Sequence, residues 1–486
     1  MSHATTVAPG LDVPTTPRLR IARVLGVTIF VSLLALYVVT AIPYGTSEAW
    51  WKAFFVCAAF ALGILWLLEG YLSNNWITAG WSILLPVAAL ILFSLLQTIS
   101  LGNGQISGIA IPSWRTVSLD PFETRFFALQ LAALGLCGLF LFRYLSTARR
   151  VRIAINLIIA IAVASAIFGI LRQTTQHSLG FGLPLLQMEA GYGQFINRNH
   201  FAFLMEMALG LTLGMILGGG VKKEQGLVYM AALLPIWTAL VLCGSRGGVV
   251  AMLAQVIVAA FLLSGVLNNS HADAGSSHGH ARTGSESTSR VLTILRSAPV
   301  RIGLFVILVC SVVFGTLYIG GERLASRIEQ SRTEFSADTS ELRQGVSRNE
   351  TWAMTLKMFA AHPVLGVGMG AYWMAVPAFH DASGTMMPQE AHNDYLELLA
   401  SGGLVGLAIG VWFLVALVKK AKANLASTNR LRRAACLGAS IGIAGVAVHS
   451  LVDFGLHMIV NALVFTTLVV IATSEQPWDK EVIRQS

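Results

Sequence analysis

Charge is what this chain of 486 residues has least of. Asp, Glu, Lys and Arg together make up 12% of it, where a soluble globular chain carries about 25%. A folded surface of this size needs more charge than that to stay wet, so a soluble globular enzyme is excluded first. Disorder is excluded too, because the 55% of hydrophobic residues fall in blocks of membrane-spanning length. Cysteine is scarce: Cys57, Cys137, Cys243, Cys310 and Cys436 all sit within apolar runs. No disulfide framework is implied, and the compartment stays open. No lysine follows a glycine, which removes a Walker-type phosphate loop, and Asp-x-Asp, G-x-G-x-x-G and His-Glu-x-x-His are also missing. The chain thus lacks equipment for nucleotide-activated donors. Any substrate it transforms arrives already activated, with no cofactor and no metal expected.

What the chain does have is long apolar runs. About twelve approach the roughly 20 residues needed to cross a bilayer as a helix. They run from Ile21 to Ile42, Trp51 to Leu68, Trp76 to Ile99, Arg125 to Leu145, Val151 to Leu171 and Phe201 to Leu217. The second half adds Leu227 to Cys243, Gly247 to Leu267, Ile302 to Ile319, Tyr395 to Val418, Ala434 to Leu451 and Met458 to Thr473. The expected fold is an all-α polytopic membrane protein. The net charge of +9 reads as topology rather than nucleic-acid binding. With the N-terminus in the cytoplasm, 21 of the 33 basic residues fall on inside loops and termini, and half of the other 12 lie in one long outer loop. Long loops escape the positive-inside rule, so both termini are placed inside.

The division that follows is a disordered tail over 1–20, nine spanning helices within 21–320, an outer loop domain over 321–391, three helices within 392–473 and a tail over 474–486. Residues 271–297, rich in Ser, Gly, His and Thr, read as a flexible inside linker. Its His271, His278 and His280 lack the Cys or acidic partners of a metal site. In the outer loop, 323–343 reads as a solvated helix. Trp352, Leu356 and Phe359 then mark the apolar face of a second helix, which lies flat on the membrane or packs on the spans. Gly366, Gly368 and Gly370, with no strand before them, read as a flexible turn.

Polar residues at span ends are the informative signal, because ionisable groups at membrane depth are costly. With this topology they gather on the outer face. Arg246, in Gly244-Ser-Arg-Gly-Gly248, opens a helix whose dipole disfavours a cation; an anion beside it would remove the penalty, although simple anchoring at the interface remains open. Arg348 shares a helix face with Trp352, which suits a phosphate-bearing sugar, or else it pairs with Glu350 or Glu341. His392, in the first turn of its span, feels a dipole that favours neutral imidazole, as a general base requires. Glu390 or Asp394 orients it, with Asn393 between; the spacing does not decide which. Arg198, Asn199 and His200 precede another span, and Asp453 with His457 frames the last outer hairpin. Capping is the plainer reading for the asparagines.

In these stretches the chain resembles the O-antigen ligase and polymerase family of bacterial envelope glycan enzymes. The matching runs are Phe195–Phe201, Ser245–Gly248, Arg348–Gly370, Ala391–Glu397 and Asp453–His457, in order across about residues 190–460. The resemblance implies a multi-pass inner-membrane glycosyltransferase with one large helical periplasmic loop and its active site facing the periplasm. Such an enzyme moves a glycan from undecaprenyl diphosphate to an acceptor hydroxyl, on lipid A-core or on a growing glycan, among membrane lipid and without nucleotide or metal. Carried onto this chain, Arg246, Arg348 and Arg198 hold the diphosphate and His392 acts on the acceptor. Glu390, Asn393, Asp394, Trp352, Asn199, His200, Asp453 and His457 support it. A protein-glycosylating ligase is a further reading. A secondary transporter is the rival from another class; it calls for ionisable residues or broken helices near the midplane, and for internal repeats.

Overall fold

The computed structural model describes residues 16–274, 348–380 and 388–478, apart from the short loop positions 43, 77–78, 101–103, 107–108, 112–115, 184–185, 187–190 and 477. It is helical throughout, except for a small antiparallel pair, β1 (Gly104–Ile106) with β2 (Ile109–Ile111). The helices of the first half are α1 (Pro17–Ala41), α2 (Ala49–Ser73), α3 (Trp81–Gln97), α4 (Pro121–Tyr144), α5 (Ala148–Leu171), α6 (Arg198–Leu217), α7 (Gly226–Leu242) and α8 (Arg246–Ala274). After the gap follow α9 (Arg348–Ala361), α10 (Tyr372–Phe379), α11 (Asp394–Leu425), α12 (Arg430–His449) and α13 (Ile459–Thr473). Among the described residues, α1, α2, α4, α5, α6, α8, α11 and α12 are long and apolar enough to cross a bilayer, and α3, α7 and α13 are shorter apolar helices.

Eleven of the expected spans are therefore helices; the one placed at Ile302–Ile319 and the helix expected over 323–343 lie outside the described residues. Boundaries move in three places. Helix α1 begins at Pro17, inside the expected tail, because proline at a helix start costs no hydrogen bond and presets φ. Helix α8 carries on to Ala274, so 271–274 are helical rather than linker. In the C-terminal tail, Trp478 is buried, with the Arg432 guanidinium 5.3 Å from its ring centre.

Polar caps fix where helices enter. Asp120 accepts from the Phe122 and Glu123 amides, Asn197 from Asn199, Asn393 from Tyr395 and Leu396 and Asn429 from Arg432. Each satisfies amides that a helix start leaves open. At the centre of the bundle α6 crosses α12 at backbone contact. Gly210 and Gly214 face Gly442 and Gly438 so closely that a Cβ on either α6 glycine would strike the other helix, the small-residue packing by which membrane helices approach.

Chain ends alternate between two faces. One is basic: Arg143 pairs with Glu69 at 3.0 Å, Arg152 donates to the Gly220 carbonyl at 2.7 Å, and Lys420 and Arg432 bind Glu475 and the Gln476 carbonyl. The starts of α6, α8, α9, α11 and α13 lie on the other.

The Gly366–Gly370 run is not a free turn. All three glycines have positive φ, 70°, 112° and 77°, and the loop is plugged into a break in α11. That helix is interrupted at Gly403 (φ 60°, ψ −158°). The Ala400 and Ser401 carbonyls accept from Val367 and Gly368, and the Leu404 amide donates to the Pro363 carbonyl. Gln97 of α3 ties the two together, donating to the Leu365 and Ser401 carbonyls and accepting from the Met369 amide. Backbone groups freed at depth are thus paired within protein, the condition for irregular chain inside a membrane.

Candidate active site

The polar end of the bundle is organised by one carboxylate. Asp453 is fully buried in the hairpin between α12 and α13. Arg348, the first residue of α9, approaches its Oδ2 with Nη2 at 3.3 Å. His392 Nδ1 and His200 Nε2 stand 3.7 and 3.8 Å from Oδ1, and the Phe454 amide donates to Oδ1 at 2.9 Å. Asn199 donates its amide to Oδ2, while its own oxygen accepts from Ser245 Oγ at 2.8 Å. Ser245 also receives the Gly248 amide at 3.1 Å, which fixes the turn from which α8 starts at Arg246. Burial pushes the Asp453 carboxyl up, but His392, His200 and the Phe454 amide outweigh it and hold the group well below the usual carboxylate range.

The turns bearing Arg198, Arg246, Arg348 and His392 therefore meet at Asp453, with Arg198 and Arg246 half-buried. Several expectations change in detail. Asp453, not Glu390 or Asp394, is the carboxylate beside His392. Arg348 likewise faces Asp453, and Glu341 lies outside the described residues. His392 is not in the first turn of its helix. It precedes the Asn393 cap in a left-handed conformation, φ 50°, so its ring is aimed by the backbone bend and not by helix position. On α9 the buried face is Thr351, Met354, Thr355 and Met358. Of the apolar stripe, Leu356 is half exposed, whereas Trp352 and Phe359 are partly buried.

Asp453 and His457 fall into separate clusters. His457 Nδ1 lies 3.3 Å from Glu390, and its Nε2 lies 3.6 Å from Glu397 and 3.8 Å from Asp394. Glu397 also takes the Ala391 amide at 2.9 Å. Burial lowers the His457 pKa, but Glu390, Glu397 and Asp394 outweigh it and raise the group from 6.5 to about 10. Glu390 moves the opposite way: burial raises it, and His457 brings it below its usual value. The stability that His457 gains is complete below about pH 6.5 and is lost as pH rises through about 10. Melting temperature is accordingly expected to fall between pH 7 and 10 in the native chain and to change less over that window in His457→Gln.

The ring of Phe454 stands between the two clusters. It packs edge-on against His392 (4.8 Å between centres), His200 (4.9 Å) and His457 (5.4 Å). On the His457 side opens a cavity of about 480 Å³, bounded by α3, α4, α11 and α13 and lined by none of Arg198, Arg246, Arg348 and His392. The arginines thus form a shelf beside that hollow and do not surround it. Glu390, Glu397 and His457 bring their ligand-type atoms within 4.8 Å of one another, the spacing of a metal site, which the sequence did not suggest. A metal needs neutral imidazole, whereas these carboxylates favour the protonated ring, and an ion-paired latch fits the geometry better.

Sequence reasoning missed Glu397 and Phe454 as site residues, although both lie inside runs it singled out. It also missed His449, whose Nδ1 is 2.7 Å from Glu206 Oε1 with both side chains buried. Two histidine–acid contacts between distant helices leave no trace in local spacing.

Residues 231–411 match the family model described as O-antigen ligase. Over this stretch the chain is similar to the O-antigen ligase-related family. The match takes in Arg246, Arg348, His392 and the cavity walls on α10 and α11, and ends before Asp453. No curated protein matches the chain. Together with the apolar helices, the match supports a multi-pass membrane protein of glycosyltransferase type, ligase or polymerase.

Proposed function

We propose that this chain transfers a glycan from undecaprenyl diphosphate to an acceptor hydroxyl at the periplasmic face of the bacterial inner membrane, with lipid A-core as acceptor and without nucleotide or metal. The observation that carries the proposal is the meeting of the Ser245–Arg246 turn, Arg348, His392 and Asn199 at the buried Asp453, at the end of the bundle opposite the basic face. A diphosphate sits at headgroup depth and needs cations there. The planar guanidinium groups offer two-point hydrogen bonds to its oxygens, and the amides at the start of α8 add their own donors.

In the reaction, the acceptor oxygen attacks the anomeric carbon and forms the new glycosidic bond. The bond from that carbon to the diphosphate oxygen breaks, and its electron pair leaves with the diphosphate. The acceptor's proton passes to His392, whose ring Asp453 steadies. Arg246, Arg348 and Arg198 neutralise the charge that grows on the leaving group. General-base help is worth about 10²–10⁴-fold, and an oriented charge clamp contributes as much or more. A single displacement inverts the anomeric centre; retention in the product would instead require a covalent glycosyl-His392 intermediate.

A transporter reading would claim the buried Glu206–His449 pair between α6 and α12 and the broken α11. The freed carbonyls of α11 are taken up by the 363–370 loop, which leaves them engaged with protein. The test is transfer by the purified chain from undecaprenyl-diphosphate glycan, in EDTA, to lipid A-core or to a second carrier-linked glycan. Transfer to lipid A-core in chelator is expected. Product on the second glycan alone would assign a polymerase, dependence on added metal would remove the metal-free mechanism, and absence of any transfer would reject the proposal.

A further inference from the structure

Beside the arginine shelf, and separated from it by Phe454, lies a cavity that is apolar along most of its length, from Ile83, Leu84 and Val87 to Phe465 and Val469, and acidic in one part. That part carries four carboxylates, Glu123, Glu390, Asp394 and Glu397, and two cations, Lys52 and His457. Both cations already face acids: His457 lies within 3.3–3.8 Å of three carboxylates, and Lys52 lies in the field of Glu390, Glu123 and Glu48. One wall presents the indole of Trp373, which is 44% exposed. Another presents Gln130 and the flat ring of Phe127. Deeper, on α11, Ser401 lines the cavity with its side chain 2% exposed and its hydroxyl without a hydrogen-bond partner. A buried hydroxyl left unpaired is costly, and a polar ligand in the cavity would satisfy it.

We infer that this cavity is the subsite for the acceptor sugar, and that it takes a neutral or amine-bearing saccharide with no phosphate on the bound residue. The inference rests on the transferase reading and adds the acceptor's chemistry to it. A carboxylate only accepts hydrogen bonds, so it pairs with hydroxyl and ammonium donors and meets a phosphate with repulsion and nothing to offer. The exposed indole supplies a flat apolar surface for the C–H face of a sugar ring. Arginines on one side of Phe454 and acids on the other sort the two reactants by charge: diphosphate to the shelf, hydroxyl-bearing acceptor to the cavity.

The full chain, in lipid nanodiscs, is applied to an array of immobilised neutral, amino-bearing and phosphorylated glycans. Binding is expected among the first two kinds, and adding a phosphate to the bound sugar is expected to weaken it by at least about tenfold. Trp373→Ala should weaken binding across the array, and Glu123→Gln should narrow the penalty against phosphate. Because Trp373 is half exposed and Glu123 sits partly exposed in the first turn of α4, neither belongs to the buried core. Phosphorylated glycans binding as well as their parents, or no glycan binding at all, would overturn the inference. The array holds no lipid diphosphate: lost array binding with transfer intact rejects the subsite alone, whereas lost transfer with array binding intact rejects the donor reading and leaves the cavity a glycan site.

Discussion

Asp453→Asn is expected to lower glycan transfer by about 10²-fold or more while the protein still folds. The side chain is buried, and four groups from three other segments use its charge: Arg348, His392, His200 and Asn199. Asparagine keeps the shape, but its amide nitrogen would face cationic or donor groups at one of the two oxygen positions. Removing one partner of a fully buried ion pair costs about 3–5 kcal/mol. Here Arg348 and His392 are each 36% exposed, so water screens both and the stability loss should be nearer about 1–2 kcal/mol. The larger effect falls on activity, because an imidazole and a guanidinium left to wander lose the alignment that transfer requires, and misplacement by about 1 Å can cost about 10²-fold. Transfer kinetics beside a melting curve separate the two. Native kcat with a lowered melting temperature would make Asp453 purely structural.

Arg246→Lys is expected to cost about 10²–10³-fold in kcat, with the donor KM changed far less. The position keeps its positive charge, so a mere anchor to headgroups would tolerate the exchange. A lysine ammonium is a point charge and cannot form the planar pair of hydrogen bonds that a guanidinium makes with phosphate oxygens. Charge grows on the diphosphate as the glycosidic bond breaks, so the missing contact matters most in the transition state and shows in kcat. The size follows from the removal of one well-placed donor to a developing oxyanion. Steady-state kinetics over a range of donor concentrations decide it, and native rates would argue that Arg246 only anchors α8.

The bundle was legible in the sequence because apolar run length is a property of consecutive residues. Eleven of the spans could be read from that signal alone, with ends off by up to seven residues at α8 and α11, and the polar motifs at Asn197, Ser245, Arg348, His392 and Asp453 announced themselves at span ends. What could not be read was pairing at a distance. Glu390 and Asp394 flank His392 closely in sequence, yet a left-handed turn at His392 sends its ring to Asp453 and leaves those two acids for His457. The Gly366–Gly370 run looked like a loose turn because nothing nearby needs its hydrogen bonds; its partners are Ala400, Ser401 and Gln97. On α9 apolar content left the face carrying Trp352 either flat on the membrane or packed on the spans. The side that packs is made of Thr351, Met354, Thr355 and Met358, because its partners there offer polar as well as apolar contacts: Thr355 Oγ1 lies 2.7 Å from the Tyr372 hydroxyl.

The most direct measurement is an experimental structure of the chain with undecaprenyl diphosphate bound. The account predicts the two phosphates within hydrogen-bonding distance of the Arg246 and Arg348 guanidinium groups, next to His392 and on the arginine side of Phe454. Phosphates found among Glu390, Glu397 and His457, or at the basic end of the bundle beside Arg143 and Arg152, would contradict it.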